Sequence, residues 1–202
     1  MFPSRPTSLG LTSLGVCVAL LFVQSMVAGS AGARMLQYDF AEDLNGAQID
    51  PFKLSADRVV VLLFVQTDCP ISNRYAPTIQ KLNDEFRGKA NFWLIYPNSS
   101  EPPAKIRTHL AKFRYTISAL RDTHHALAKR AQATITPESA VFDSKGKLVY
   151  HGRIDNWYED LGRARPAPTT HELEDAIQAA LNKKPATPDH ANAVGCYISD
   201  LK

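Results

Sequence analysis

The feature that most constrains the fold is the uninterrupted apolar run at residues 59–65. All seven residues are aliphatic or aromatic, and a run without polar alternation predicts a strand buried on both faces of a sheet. A second run of this kind, Ala90–Tyr96, follows a helical pattern of apolar residues between Ile71 and Phe86. Two buried strands joined through a helix indicate a parallel pair covered by helices.

The rest of the chain continues this alternation. We predict a helix that opens at Pro102-Pro103, a strand at 117–120, a helix at 123–133, a hairpin of segments 139–142 and 148–154, and a last helix that begins near Thr169. The order β-α-β-α-β-α-β-β-α predicts an α/β fold with a central mixed sheet and helices on both faces. The segment 185–202 has no periodicity and is predicted to be a C-terminal tail.

The first 33 residues resemble a targeting segment more than a part of the fold. They hold one charged residue, Arg5, then an apolar stretch at 9–27, then small residues that end in Ala31-Gly32-Ala33. This order is typical of a secretory signal peptide, so we expect cleavage after residue 33 and a protein exported to the periplasm or the extracellular space. An uncleaved membrane anchor is the alternative, and only then would the membrane be a partner. Cleavage would also remove Cys17.

Charge and ligand patterns exclude some classes of function. The formal net charge of +3 is spread along the chain, which argues against a nucleic-acid partner. His124 and His125 are adjacent and point in different directions on a helix, and no third ligand stands out, so we predict no metal site. We expect no cofactor.

Cys69 is the candidate reactive residue. It lies between the first buried strand and the helix that follows, where unpaired N–H groups and the positive end of the helix dipole stabilise a thiolate. Ser72, one turn later, can donate its hydroxyl to the sulfur, whereas the neighbouring Asp68 works against ionisation. The alternatives are that Cys69 is an inert core residue and that Ser72 only caps the helix.

Several short segments, taken in order, match one family. Cys69-Pro70-Ile71-Ser72 is followed by Pro77, Thr136-Pro137 precedes a strand, and the segment 141–152 forms a hairpin. In these segments the chain resembles the thioredoxin-fold redoxins, in the exported branch grouped with the alkyl hydroperoxide reductase and thiol-specific antioxidant proteins. The resemblance implies a thioredoxin-like redoxin domain at 37–184.

The resemblance also implies an activity. It suggests a thiol-disulfide oxidoreductase with Cys69 as nucleophile and with Thr136, Pro137 and Pro70 at the substrate-binding surface. The partners would be a thiol or disulfide substrate, either a protein or a small molecule, and an external reductant. The chain departs from the thioredoxin pattern because Ser72 replaces the second cysteine.

A mixed disulfide at Cys69 must therefore be resolved from elsewhere, and Cys196 in the tail 185–202 is the one other cysteine of the mature chain. Cys196 could equally form a static or an intermolecular disulfide. Two other functions stay open: a peroxiredoxin-like peroxidase, and a non-enzymatic module that binds partners as long-lived mixed disulfides.

Overall fold

The computed structural model describes residues 40–55, 57–199 and 201. The strands are β1 Ala41–Asp43, β2 Gln48–Ile49, β3 Val59–Phe64, β4 Ala90–Tyr96, β5 Ser118–Arg121, β6 Ile135–Thr136, β7 Glu138–Phe142, β8 Leu148–Gly152, β9 Tyr158–Asp160, β10 Arg163–Ala164, β11 His190–Ala191 and β12 Cys196–Tyr197. The helices are α1 Pro51–Leu54, α2 Pro70–Glu85, α3 Pro103–Phe113, α4 Ala126–Ala131 and α5 Glu172–Leu181.

The central sheet has eight strands in the order β11-β8-β7-β3-β4-β5-β1-β2. Strands β3, β4 and β5 are parallel, while β7 runs antiparallel to β3 and β8 antiparallel to β7. Two further pairs, β9 with β10 and β6 with β12, form small sheets of their own. The predicted α/β architecture with a mixed central sheet is confirmed.

Strand β3 is buried on both faces because alternate residues enter two separate cores. Val61 and Leu63 pack with apolar residues of α2, α3 and α5, whereas Val60, Leu62 and Phe64 pack with α4. Side chains of a strand alternate between the faces of a sheet, so an apolar run without alternation requires helices on both sides. The prediction from the run at 59–65 is correct for this reason.

Two predicted helix boundaries were wrong. The helix predicted at 123–133 is shorter, because His125 and Gln132 adopt left-handed backbone conformations on either side of α4. The last helix begins at Glu172 rather than Thr169, since the Thr169 N–H donates to Asn156 Oδ1 at 2.7 Å instead of taking part in a helix cap. Between β8 and α5, where we predicted no strand, the chain also forms the β9–β10 hairpin.

The tail is more ordered than its sequence suggested. Strand β11 pairs in parallel with β8 at one edge of the central sheet, and β12 pairs antiparallel with β6. The backbone at Gly152 allows the first of these contacts: its φ is +139°, and a Cβ there would lie 2.0 Å from the Ala191 oxygen. Among the described residues, no helix has the length and apolar character needed to span a membrane.

Candidate active site

Cys69 lies at the start of α2, five residues beyond the end of the buried strand β3. It is the N-cap residue, with extended backbone (φ −78°, ψ 112°), and Pro70 occupies the first position of the helix. A proline is favourable there because the N–H it lacks has no partner within a helix. The Cys69 side chain is 1% exposed. Its sulfur is therefore held near the unpaired N–H groups of α2 and away from solvent.

A second segment reaches the sulfur from the end of β6. The Thr136–Pro137 peptide bond is cis, and both residues are buried. The carbonyl oxygen of Thr136 lies 3.1 Å from Cys69 Sγ and accepts a hydrogen bond from the thiol. The segments that carry Cys69 and Thr136, which are 67 positions apart, thus meet at one point.

The third segment is the tail. Cys196 pairs with Thr136, and Tyr197 pairs with Ile135, in the antiparallel β6–β12 sheet. Two further hydrogen bonds extend this pairing, from Ile198 N–H to the Thr134 oxygen at 2.9 Å and from Thr136 Oγ1 to the Cys196 oxygen at 3.3 Å. Backbone pairing therefore places Cys196 beside Cys69. Both are free cysteines in the structure.

The surroundings of Cys69 favour its thiolate. Burial by itself would raise the pKa of the thiol, but hydrogen bonds from the Cys196 side chain and from the Ser72 backbone and hydroxyl outweigh burial and lower the pKa below its ordinary value. The Thr136 carbonyl favours the protonated form of Cys69, because it accepts a hydrogen bond from the thiol and has none to donate to a thiolate. Ser72 Oγ is buried and has no partner while Cys69 is protonated, so it is the donor that a thiolate would recruit.

Cys196 has the opposite tendency. Burial and the hydrogen bond to the Cys69 sulfur, followed by the negative charge of Cys69, raise the pKa of Cys196 to about 11. Within the pair, ionisation is therefore favoured at Cys69 over Cys196. The two cysteines are chemically distinct although they are neighbours.

Two residues hold the loop before Cys69: Glu101, which precedes α3, and Lys105, which lies in α3. Glu101, 1% exposed, accepts hydrogen bonds from the backbone N–H of Thr67 at 2.9 Å and from the Thr67 hydroxyl. Its second carboxylate oxygen is buried without a partner. Asp68, by contrast, is exposed and forms an ion pair with Lys105, whose hydrogen bond lowers the pKa of Asp68. Lys105 thus offsets part of the repulsion that Asp68 exerts on a Cys69 thiolate.

A buried network fixes the other side of this loop. Asn73 Nδ2 donates to the Thr67 oxygen at 3.0 Å, so its Oδ1 must accept from His109 Nε2 at 2.7 Å. His109 Nδ1 then accepts from the Tyr96 hydroxyl at 2.8 Å, which requires the proton to lie on Nε2. Burial lowers the pKa of His109 to about 4, so the ring is neutral at pH 7.

Sequence reasoning missed this network. His109 lies three residues after Ile106 on the buried face of α3, and this spacing was the available signal. Its partners Asn73 and Tyr96 come from different elements, and nothing in the sequence indicates their approach.

The polar residues after β8 are structural. Arg153 forms an ion pair with Glu172, and Asp155 Oδ1 accepts from the Tyr75 hydroxyl at 2.5 Å. Asn156 Oδ1 accepts from the backbone at Thr169. These contacts hold the segment 153–172 against α2 and α5.

The structure brings together most of the residues proposed from the sequence. The Cys69 sulfur is surrounded by Ser72, Thr136 and Cys196. Pro137 lies next to Thr136. Pro70 is exposed at the first turn of α2, beside Cys69 rather than over it. The roles proposed for these residues stay predictions, although their proximity is established.

Comparison with protein families identifies a match over most of the chain. The family model described as Redoxin matches residues 30–160. A search of curated proteins found no relative with significant sequence similarity.

Comparison with solved structures supports the same fold. An uncharacterized conserved protein from Geobacillus kaustophilus superposes with a TM-score of 0.67 at 21% identity, covering 79% of this chain and 86% of its own. A hypothetical protein from Sinorhizobium meliloti gives a TM-score of 0.65 at 21% identity, with coverage of 79% and 88%. A secreted Mycobacterium tuberculosis disulfide oxidoreductase, described as homologous to E. coli DsbE, gives 0.50 at 16% identity, with coverage of 73% and 96%. At these identities the similarity establishes a thioredoxin-like fold.

Proposed function

The chain belongs to the redoxin family, and from this premise we propose that it is an exported thiol-disulfide oxidoreductase with Cys69 as nucleophile and Cys196 as resolving cysteine. The observation that carries the proposal is the pairing of β12 with β6, which holds Cys196 within hydrogen-bonding reach of the Cys69 sulfur. Thiol-disulfide exchange needs a thiolate and a second thiol that can attack the mixed disulfide. In the proposed mechanism Cys69 supplies the thiolate and Cys196 the second thiol.

The unequal pKa values of the two thiols set the order of the reaction. The Cys69 thiolate attacks one sulfur of a substrate disulfide, a Cys69–substrate disulfide forms, and the other substrate sulfur leaves as a thiolate. Cys69 is then neutral, so the charge and the hydrogen bond that raised the pKa of Cys196 are lost. Cys196 becomes easier to ionise only after the first step.

The second step completes the transfer of two electrons. Cys196 attacks the Cys69 sulfur, the Cys69–Cys196 disulfide forms, and the remaining substrate sulfur leaves and takes up the proton that Cys196 gives up. The net reaction reduces the substrate disulfide to two thiols and oxidises the two cysteines of the protein. The reverse sequence would oxidise a substrate dithiol. An external thiol or disulfide partner resets the pair.

We also propose that residues 1–33 are a signal peptide, and that the mature protein consists of the domain 37–184 with the tail 185–202. The order of charged, apolar and small residues in 1–33 supports export. These N-terminal residues lie outside the part of the chain that the structure describes.

Peptide mapping under non-reducing conditions tests the mechanism. We expect one disulfide, Cys69–Cys196, after treatment with a mild oxidant, and no turnover in Cys69→Ser. In Cys196→Ser the first attack should persist and a mixed disulfide should accumulate, whereas the unmodified protein should turn over without accumulating it.

Other results would point to the rival functions. Rapid consumption of hydrogen peroxide with a sulfenate at Cys69 would favour a peroxidase. Normal turnover in Cys196→Ser would remove Cys196 from the mechanism. Mixed disulfides that persist in the unmodified protein would indicate a binding module.

A further inference from the structure

Glu138 is a buried carboxylate that the proposed mechanism does not use. It is the first residue of β7, directly after Pro137, and it is 4% exposed. A buried carboxylate is costly unless hydrogen bonds replace those that it made with water. The Oε2 atom of Glu138 accepts from the backbone N–H groups of Thr134 at 2.9 Å and Ile135 at 3.1 Å. The side chain thus reaches back across Pro137 to the segment before it.

The segment that Glu138 holds runs into β6, which contacts both cysteines. The Thr136 oxygen accepts from Cys69 Sγ at 3.1 Å, and Thr136 pairs with Cys196 in the β6–β12 sheet. Strand β6 has two residues, fewer than most strands. So short a strand makes few ladder hydrogen bonds, and the two bonds to Glu138 add directly to what fixes its position.

The backbone of Glu138 is anchored in the central sheet. Its partner across the β3–β7 pair is Phe64, the last residue of β3, and Cys69 follows five residues later. Glu138 thus joins the strand that leads to Cys69 to the strand that carries Thr136. A site residue is held most precisely when the groups that support it lie on rigid elements. Glu138 meets this condition, because its backbone belongs to the sheet and its carboxylate reaches β6.

The other carboxylate oxygen of Glu138 faces His151. Oε1 lies 3.7 Å from His151 Nδ1, too far for a hydrogen bond, and within the described part of the chain that buried nitrogen has no hydrogen-bond partner. Burial, followed by the charge of His190, lowers the pKa of His151, and the opposing effects of Glu138 and Asp189 are smaller. His151 is therefore mostly neutral at pH 7, and the hold of Glu138 on β6 does not depend on an ion pair.

We propose that Glu138 is a positioning residue for the Cys69–Cys196 pair, and that it acts through the reach of its acceptor oxygen rather than through its charge. This inference rests on the proposed function and adds a residue to it. While Oε2 holds the two N–H groups, β6 keeps the Thr136 carbonyl at Cys69 and keeps Cys196 beside it. When this acceptor is displaced, the two sulfurs are held together less precisely, and their disulfide forms less readily.

The test compares two conservative substitutions of Glu138 in the Cys17→Ser chain. Glu138→Gln keeps the side-chain length and an acceptor oxygen but removes the charge, and its amide can donate to the neutral His151 ring. Glu138→Asp keeps the charge but is one methylene shorter, so its carboxylate no longer reaches both N–H groups from the same backbone position. Glu172→Asp is the matched control, because it shortens another buried carboxylate, whose partner is Arg153.

Each chain is equilibrated with mixtures of glutathione and glutathione disulfide. The fraction that contains a Cys69–Cys196 disulfide is measured by thiol alkylation and peptide mapping. Formation of this disulfide passes two electrons to glutathione disulfide, which leaves as two molecules of glutathione. The equilibrium constant reports the effective concentration of one sulfur at the other. Denaturant unfolding of each variant separates a loss of stability from a loss of positioning.

We expect Glu138→Gln to keep the equilibrium constant within about twofold and Glu138→Asp to lower it about tenfold, because a displacement of about 1 Å at a reacting group can cost about a hundredfold. A tenfold fall corresponds to a rise of about 30 mV in the reduction potential. Glu172→Asp should leave the constant unchanged even where it lowers stability.

Two results would overturn the proposal. One is an unchanged constant in Glu138→Asp, and the other is a tenfold fall in Glu138→Gln, which would assign the effect to charge. If Glu138→Asp does not fold, Glu138→Gln still decides between reach and charge.

The Cys17→Ser parent tests the proposed function separately. If it forms no Cys69–Cys196 disulfide at any ratio of glutathione to its disulfide, the proposed function and this inference fall together. If it forms the disulfide and substitutions at Glu138 have no effect, this inference falls and the proposed function stands.

Discussion

The hydrogen bond from Cys196 to the Cys69 sulfur makes a measurable prediction about the pKa of Cys69. Replacing Cys196 with alanine removes the largest of the interactions that lower this pKa. A hydrogen bond to a charged group contributes about 1.5–3 kcal/mol, and a thiol is a weak donor, so we take the lower end of this range. This corresponds to a rise of about one pKa unit in Cys196→Ala.

The matched control is Cys196→Ser, which keeps a donor at the same position. Both variants are made in the Cys17→Ser chain, so Cys69 is the one thiol that titrates. The ultraviolet absorbance of the thiolate is followed against pH. We expect the midpoint in Cys196→Ala to lie about one unit above that in Cys196→Ser.

Alkylation at a single pH is a poorer assay for this effect. Cys69 is 1% exposed, so reagent access also limits the rate. A more basic thiolate is also a better nucleophile, with a Brønsted coefficient of about 0.4–0.5. This gain would offset nearly half of the fall in alkylation rate that the smaller thiolate fraction causes. Equal absorbance midpoints in the alanine and serine variants would refute the reasoning, since no donor from position 196 would then act on Cys69.

Three further predictions concern other parts of the chain. N-terminal sequencing of the exported protein should give a start near Arg34, and a soluble protein that begins at Met1 would contradict export. Because burial lowers the pKa of His109 to about 4 while the unfolded ring titrates near 6.5, the unfolded state binds a proton first on acidification. The free energy of unfolding, measured with denaturant, should therefore fall by about 3 kcal/mol between pH 6.5 and pH 4 from this group, and less in His109→Gln. Ile79→Ala, at a side chain with no exposed area, should lower the free energy of unfolding by about 2–5 kcal/mol, whereas the exposed control Lys81→Ala should change it little.

The Asn73–His109–Tyr96 network helps to fix the loop that precedes Cys69. The network holds the Thr67 carbonyl from one side, while Glu101 holds the Thr67 N–H from the other. Two independent elements thus fix the residue that precedes Asp68 and Cys69. The sulfur can then meet the Thr136 carbonyl and the tail without first ordering its own loop.

Sequence alone determined the architecture because burial on two faces leaves a local signal. The run at 59–65 and the strand Ala90–Tyr96 are apolar without alternation, and the helix between them has a single apolar stripe. Each pattern is a property of neighbouring residues, so the α/β order could be derived without coordinates. The placement of Cys69 at the start of a helix follows from the same local reasoning.

Tertiary structure alone decided what surrounds the sulfur. The tail around Cys196 has no periodicity, and its position depends on backbone pairing with Thr136, a residue 60 positions away. Backbone hydrogen bonds depend little on side-chain identity, so such pairing leaves little trace in the sequence. The exception is Gly195, whose missing side chain makes room for the Thr136 carbonyl. The unequal pKa values of the two cysteines arise from this contact, because only the folded chain brings both thiols into one buried site.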